Sequence, residues 1–340
     1  MIPITKSGKP TLIIFLTLLI NLFHCSPEKK TQHLSNEQKL GVLDSLNQLI
    51  SAQSGEGNLY ILRAQYFAEE EQLVAAITDV NKAITLDSLN KEYYYYLADL
   101  YVLNSQSKEA LSIMERIVSK FPNHVDVLLK YIRLYLILQK HMNAMAVLDK
   151  VFLLDPQNAE AYYLAGHVFY ETGDTGRAVN SYQKAVDFDP ELKAAWNQLG
   201  DVMTELNNPL AIKYYDNAIH LDSSNVETLH NKAYALQKFG KIKESIDLHV
   251  AICKRFPTYE PAFYNLGLLY KKIDSLDRAI FYFEKSIQLA PLEAVTYYQR
   301  GLCYQKSGKL DSAKTDFETA LRLRNEAWPE VQSALQSLYK

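Results

Sequence analysis

The residues able to do chemistry in this 340-residue chain are scattered. A phosphate loop needs closely spaced glycines, a zinc-protease helix needs His-Glu-x-x-His, a hydrolase elbow needs Gly-x-Ser-x-Gly, and a calcium loop needs Asp in alternation; none of these spacings occurs. The eight histidines are dispersed, and none is spaced like a ligand pair. Cys25, Cys253 and Cys303 match no zinc or haem pattern. Cys253 and Cys303 read as small apolar core residues. No metal, no cofactor and no catalytic activity is expected. A site assembled from dispersed residues such as Asp201 and His167 is the one enzymatic alternative, and nothing in their spacing recommends it.

The elements that would have to position any site come next. With 36 Lys and Arg against 39 Asp and Glu, the net charge is −3, so no basic excess awaits nucleic acid. An apolar fraction of 48% against 22% charged belongs to a folded chain. Only 12 glycines beside 24 tyrosines argue against a loop-rich fold.

Residues 1–24 carry Lys6 and Lys9 ahead of an apolar run from Leu12 to Ile20, the pattern of a secretory signal and too short for a permanent span. Leu22 stands three positions before Cys25, as in a bacterial lipobox, so Cys25 is expected to carry a lipid. His24 departs from the small residue usual there, and an uncleaved anchor is the alternative. Residues 25–35 read as a flexible tether. These features point to a lipoprotein of the bacterial cell envelope, expected in the outer membrane and facing the periplasm.

Beyond the tether the chain repeats. Pro122, Pro156, Pro190, Pro257 and Pro291 recur at intervals of 34, 34, 67 and 34 residues, and Ala76, Ala110, Ala144, Ala178, Ala211, Ala279 and Ala313 keep step. Gly166, Gly200, Gly267 and Gly301 share a column with Ala64, Ala98 and Ala233, where small residues mark a close approach of two helices. Phe263, Leu266, Gly267 and Tyr270 show a helical period, with a second helix after Asp274. A period of 34 is that of helix-turn-helix stacks.

The order Tyr162, Gly166, Phe169, Ala178, Tyr182, Ala185 and Pro190, followed by Trp196, Leu199 and Gly200, resembles the tetratricopeptide repeat. The resemblance covers 57–327, about four-fifths of the chain. It implies an all-α superhelical solenoid of eight repeats at 57–90, 91–124, 125–158, 159–192, 193–225, 226–259, 260–293 and 294–327. The ends of such a stack need covers. Residues 36–56 supply an N-terminal capping helix and 328–340 a C-terminal one. Ile132 occupies the small-residue column of the third repeat, so that helix pair is expected to be looser.

The resemblance also implies that the first helix of each repeat faces a concave groove. Tyr60, Tyr94, Tyr162, Tyr270, Tyr297 and Tyr304 sit in core columns. One position on, a turn of about 100° takes Tyr95, Tyr163, Asn197, His230, Tyr264 and Tyr298 off that stripe. Gln198, Asn231, Asn265 and Gln299 follow, and an amide can both donate to and accept from a peptide backbone. His167 is the other first-helix histidine; it and His230 otherwise read as polar surface. The expected groove is therefore Tyr163, His167, Asn197, Gln198, His230, Asn231, Tyr264, Asn265, Tyr298 and Gln299. Glu92, Asp99, Glu160, Asp201 and Glu227 precede Lys238, Lys271, Lys272 and Lys306 along the same helices. The expected function is a lipid-anchored scaffold or adaptor for other envelope proteins or peptide segments. A glycan-binding receptor lipoprotein using the tyrosines is the alternative.

Overall fold

The computed structural model describes residues 36–324 and 327–338, with side chains from residue 41 onward. The signal segment, the tether and Cys25 lie outside these residues. Every regular element described is an α-helix, in the order α1 (Asn36–Ala52), α2 (Gly57–Glu69), α3 (Leu73–Leu86), α4 (Lys91–Leu103), α5 (Ser107–Lys120), α6 (Val125–Ile137), α7 (His141–Leu154), α8 (Ala159–Glu171) and α9 (Thr175–Phe188). There follow α10 (Lys193–Glu205), α11 (Leu210–Leu221), α12 (Val226–Lys238), α13 (Ile242–Arg255), α14 (Glu260–Lys272), α15 (Leu276–Leu289), α16 (Ala294–Lys306), α17 (Leu310–Leu323) and α18 (Pro329–Ser337). The chain divides into two compact units at Asp189 and Pro190.

Local chemistry sets the helix ends. Asn90, Asn158 and Asn225 cap α4, α8 and α12 by accepting from the backbone N–H of Glu92, Ala161 and Thr228. Each pair from α2/α3 to α16/α17 is joined through one residue with positive φ: Glu71, Ser105, Gln139, Gly173, Asn207, Gly240, Asp274 and Gly308. The left-handed step reverses the chain tightly. Only three of the eight positions use glycine, which adopts it without strain.

Packing within each pair follows one column. A methyl group on Gly166 would lie 2.4 Å from the Tyr182 ring, on Gly200 2.5 Å from Tyr215, on Gly267 2.5 Å from Phe283 and on Gly301 2.7 Å from Phe317. Those four rings are essentially fully buried. Where the first helix carries Ala64, Ala98 or Ala233, the partner sixteen residues on is Val80, Met114 or His249. Ile132 faces the same column with Leu148, and both are completely buried. The α6/α7 pair touches less extensively than the four glycine-bearing pairs, while the smaller aliphatic Leu148 makes room for Ile132 so that both side chains stay buried.

Two ion pairs brace individual repeats. Arg63 grips Asp79 in a fork of 2.7 and 2.8 Å between α2 and α3, and Arg300 grips Asp316 at 2.9 and 2.8 Å between α16 and α17. At the C-terminal end, Val331 on α18 is wholly buried against Phe317 and Ala320, with Trp328, Leu335 and Leu338 beside it. Covering that face keeps the last repeat's apolar surface from water.

Candidate partner-binding face of the first helices

The candidate face consists of the outward positions of α4, α6 and α8 in the first unit and of α10, α12, α14 and α16 in the second. In the first unit those positions are largely occupied. Tyr163 retains 8% of its exposure and His167 only 2%. The Tyr163 ring meets His167 edge-on at 4.5 Å, and His167 meets Tyr182 at 5.5 Å. Burial, and secondarily the charge of Arg133, depresses the His167 imidazole to about 3, so the ring is neutral. Neither of its nitrogens has a hydrogen-bond partner. Tyr163 and His167 therefore pack inside the first unit rather than line a groove, and His167 is no surface residue.

The reason lies in how many neighbours a first helix has. It packs on its own second helix, and also on the next first helix, as α6 does on α8. Its buried sector therefore spans more than one stripe, and the position after the core column falls inside it. Tyr95, 5% exposed, shows the same effect. Its hydroxyl lies 3.4 Å from Asp126, which also pairs with Lys91. Arg133 bridges to Glu160 at 2.8 Å.

Two carboxyls in this unit are enclosed. Burial raises Asp99, and likewise Glu171, to about 7. Glu171 lies 3.4 Å from His141, and burial lowers that imidazole.

In the second unit the corresponding positions are polar and partly open. Asp201 accepts from the Tyr215 hydroxyl at 2.7 Å and from Asn231 Nδ2 at 3.1 Å. Burial raises its carboxyl to about 6, against the pull of those two donors. Asn197 Oδ1 accepts from the Thr228 hydroxyl at 2.9 Å, and Gln299 Oε1 from Lys271 Nζ at 2.7 Å. Asn265 turns back to donate to its own helix at Pro261 O, 2.9 Å. Gln198 is half-buried.

The rings of this unit mostly lean inward. Tyr264 packs at 5.9 Å from Phe283, and Tyr298 sits between Phe317 at 6.0 Å and Trp328 at 5.3 Å. His230 is half-buried and meets His249 edge-on at 5.5 Å, its Nδ1 unpartnered. His249 on α13 is completely buried, with Nδ1 2.9 Å from Ser245 O. It fills the column that aromatic rings fill elsewhere. Of the lysines, Lys238 reaches Thr204 O, and Lys306 pairs with Asp274 at 2.6 Å. Asn197, Asn231 and Gln299 thus each spend one atom on an adjacent first helix, which fixes their orientation and leaves the second for a partner.

Among the described residues, no group of three or more His, Cys, Asp or Glu could hold a metal ion, and no helix is long and apolar enough to cross a membrane. Cys253 is half-buried and Cys303 buried, both free thiols.

Models of the tetratricopeptide repeat match residues 104–168, 166–207, 260–291 and 294–327. SPINDLY of Hordeum vulgare is 31% identical over 139 residues, 41% of this chain and 12% of that protein. The BBSome complex member BBS4 homolog of Drosophila melanogaster is 23% identical over 263 residues, 74% of this chain and 54% of that protein. The chain thus spans about half the length of these relatives or less. Among solved structures, the C-terminal part of a TPR repeat-containing protein from Cytophaga hutchinsonii superposes with a TM-score of 0.58 at 18% identity, over 71% of this chain and 99% of that one. PilW, a type IV pilus biogenesis factor, gives 0.53 at 20% identity, over 62% and 98%. These similarities are of fold.

Proposed function

Because the chain is built of tetratricopeptide repeats, we propose that it is an adaptor without catalytic activity, which binds a protein or peptide segment on its first-helix faces and is held at a bacterial envelope membrane by a lipid on Cys25. Repeats of this kind generally mediate protein–protein contacts. The observation that carries the reading is the set of oriented amides in the second unit. Asn197, Asn231 and Gln299 each make one bond to an adjacent first helix, so their remaining donor or acceptor is held in place before a partner arrives. Orienting such groups in advance removes part of the ordering cost of binding. Anchoring rests on the short apolar run and on Leu22 before Cys25.

Photo-crosslinking residues placed at Gln198 and Gln299 should give protein adducts in cells, whereas the same probe at Leu153, 84% exposed on the second helix α7, should give few. Adducts from Leu153 alone would move the binding face to the second helices. Labelled fatty acid should appear on the wild-type chain and not on Cys25→Ser, which should leave the membrane fraction. A wild-type chain that never takes the label removes the anchor from the reading.

A further inference from the structure

The second unit carries, away from its first-helix faces, a feature that the repeat does not account for. Between the second helices α13 and α15 runs a groove of about 620 Å³, open to solvent and in the size range of ligand sites. Ile246 and Val250, one turn apart on α13, line one side of it, Phe281 and Tyr282 of α15 the other, and Tyr270 of α14 lies between them, 7% exposed. Tyr270 and Tyr282 stack in parallel at 5.3 Å, and the Phe281 ring meets Tyr282 edge-on at 5.1 Å. Ile246, Val250 and Tyr282 rest on the buried cluster that holds Leu266, Ala279 and Phe283. The groove is therefore formed before anything enters it, which lowers the ordering cost of binding.

Phe281 is the residue that packing leaves unexplained. Two places after the small-residue column that Ala279 occupies, the other seven repeats carry Thr78, Ser112, Ala146, Asn180, Lys213, Asp247 and Thr315. No other repeat needs a ring at that point, and 51% of Phe281 is open to water. A single exposed apolar side chain is ordinary. This one is continuous with a preformed apolar groove, which is the form of a docking site.

The charges around the groove say what enters it. The cations nearby are already engaged: Arg278 lies 5.4 Å from the centre of the Tyr270 ring, Lys309 faces Asp277 at 3.8 Å, and Lys285 donates to Gln288 at 3.2 Å. Asp247, at the position on α13 that corresponds to Phe281 on α15, lines the groove with an exposed carboxylate that makes no hydrogen bond or ion pair among the described residues. An acidic segment or an anionic lipid surface would meet it with like charge. A lysine or arginine beside an apolar side chain would complement both the carboxylate and the rings.

We infer that the groove between α13 and α15 docks a protein segment that presents an apolar side chain next to a Lys or Arg, the apolar group seated against Phe281, Tyr282, Ile246 and Val250 and the cation paired with Asp247. Each wall is about one helical turn long, roughly 6 Å, so one or two side chains of the segment are held there. This site stands apart from the first-helix faces and would let the chain hold a second partner while those faces are occupied.

The test uses the full chain, with isotope labels on its Ile and Val methyl groups, and nonapeptides of Ala and Ser carrying Leu-Lys, Ala-Lys or Leu-Glu at the centre, beside a neutral glucan oligosaccharide. The Leu-Lys peptide should shift the Ile246 and Val250 methyl signals and bind about tenfold more tightly than Ala-Lys. It should bind about two- to fivefold more tightly than Leu-Glu in low salt, a margin that narrows in high salt. Phe281→Thr, which installs the side chain of the first and eighth repeats, should bring Leu-Lys down to the level of Ala-Lys and leave the melting temperature close to wild type. Asp247→Asn should erase the preference for Lys over Glu and keep the preference for Leu over Ala. A Phe281→Thr chain that melts clearly lower would make the ring structural and overturn the inference. Equal binding of Leu-Lys and Ala-Lys, a preference for Leu-Glu, or peptides that leave both methyl signals unmoved would each overturn it as well. Shifts caused by the oligosaccharide and not by the peptides would replace the segment with a glycan. Crosslinking at Gln198 and Gln299 tests the first-helix faces separately, so either site can fail without the other.

Discussion

The two units use the same first-helix positions for opposite ends. Up to Asp189, those positions hold rings that turn inward, so that Tyr95, Tyr163 and His167 are buried and the polar groups left between them are enclosed. From Pro190 on, Asn197, Asp201, Asn231 and Gln299 tie one first helix to the next through hydrogen bonds. The repeat therefore fixes where a side chain stands and leaves open whether it becomes core, inter-helix tie or binding surface. That choice is made by what stands across from it: Tyr182 receives the edge of His167, while Tyr215 donates to Asp201.

The largest effect is expected where the units are most alike, at the two Arg–Asp forks. Arg300→Met would leave Asp316, whose side chain is 5% exposed, without its partner. Stranding a buried charge costs about 3–5 kcal/mol. Arg63→Met strands Asp79 at 7%, but that arginine is itself more exposed, 21% against 16%, so a smaller loss is expected. Urea melts of both variants check the order. Equal, negligible losses would show that the forks do not brace their repeats.

The next effect separates the units by pH. His167 is held at about 3 when folded and returns to an ordinary imidazole value when unfolded. The unfolded chain thus binds the proton first, and this group's contribution to stability is present above about pH 6.5 and is lost as pH falls towards 3. His167→Leu removes both the unpartnered nitrogens and that penalty. The variant should gain about 2–3 kcal/mol relative to wild type between pH 8 and pH 4.5, beyond any gain already present at pH 8. Asp99 and Glu171 act in the other sense, because carboxyls raised to about 7 keep their protons in the folded chain and add stability as pH falls below 7. They are present in both chains, so the difference between wild type and variant isolates the histidine. Thermal melts across that range would reject the assignment if the gap stayed constant.

The all-α repeat was legible in the sequence because its determinants are periodic: small residues where helices touch, prolines after second helices, apolar residues at helical spacing. The site was less legible because burial there depends on pairs of positions. Ile132 looks like a fault until Leu148 is set against it. The Arg63–Asp79 and Arg300–Asp316 forks were missed, although the same sixteen-residue spacing in the first and last repeats is a signal that could have been found. His167 and Tyr163 were misplaced by counting a single core stripe per helix, whereas a first helix is covered from two sides. For Asp99 no local pattern exists. Its surroundings are set by side chains of α4, α5 and α6 together.

The smallest effect concerns the turns, where the two units can be compared position by position. The first unit reverses at Glu71, Ser105, Gln139 and Gly173, the second at Asn207, Gly240, Asp274 and Gly308. Three of the four in the first unit are ordinary side chains at φ between 55° and 58°, a conformation that costs an L-residue about 1–2 kcal/mol and that Asn and Asp tolerate best. In the second unit the non-glycine turns are Asn and Asp, so less strain is stored there. Gln139→Gly removes the clash of Cβ with the backbone and gives back part of the gain through the greater freedom of glycine in the unfolded chain. A net stabilisation of about 0.5–1 kcal/mol is expected, against less than half of that for Asn207→Gly. Matched urea melts of the two variants measure the difference directly. A larger gain at Asn207 than at Gln139 would mean that these turns are governed by side-chain hydrogen bonds rather than by backbone strain.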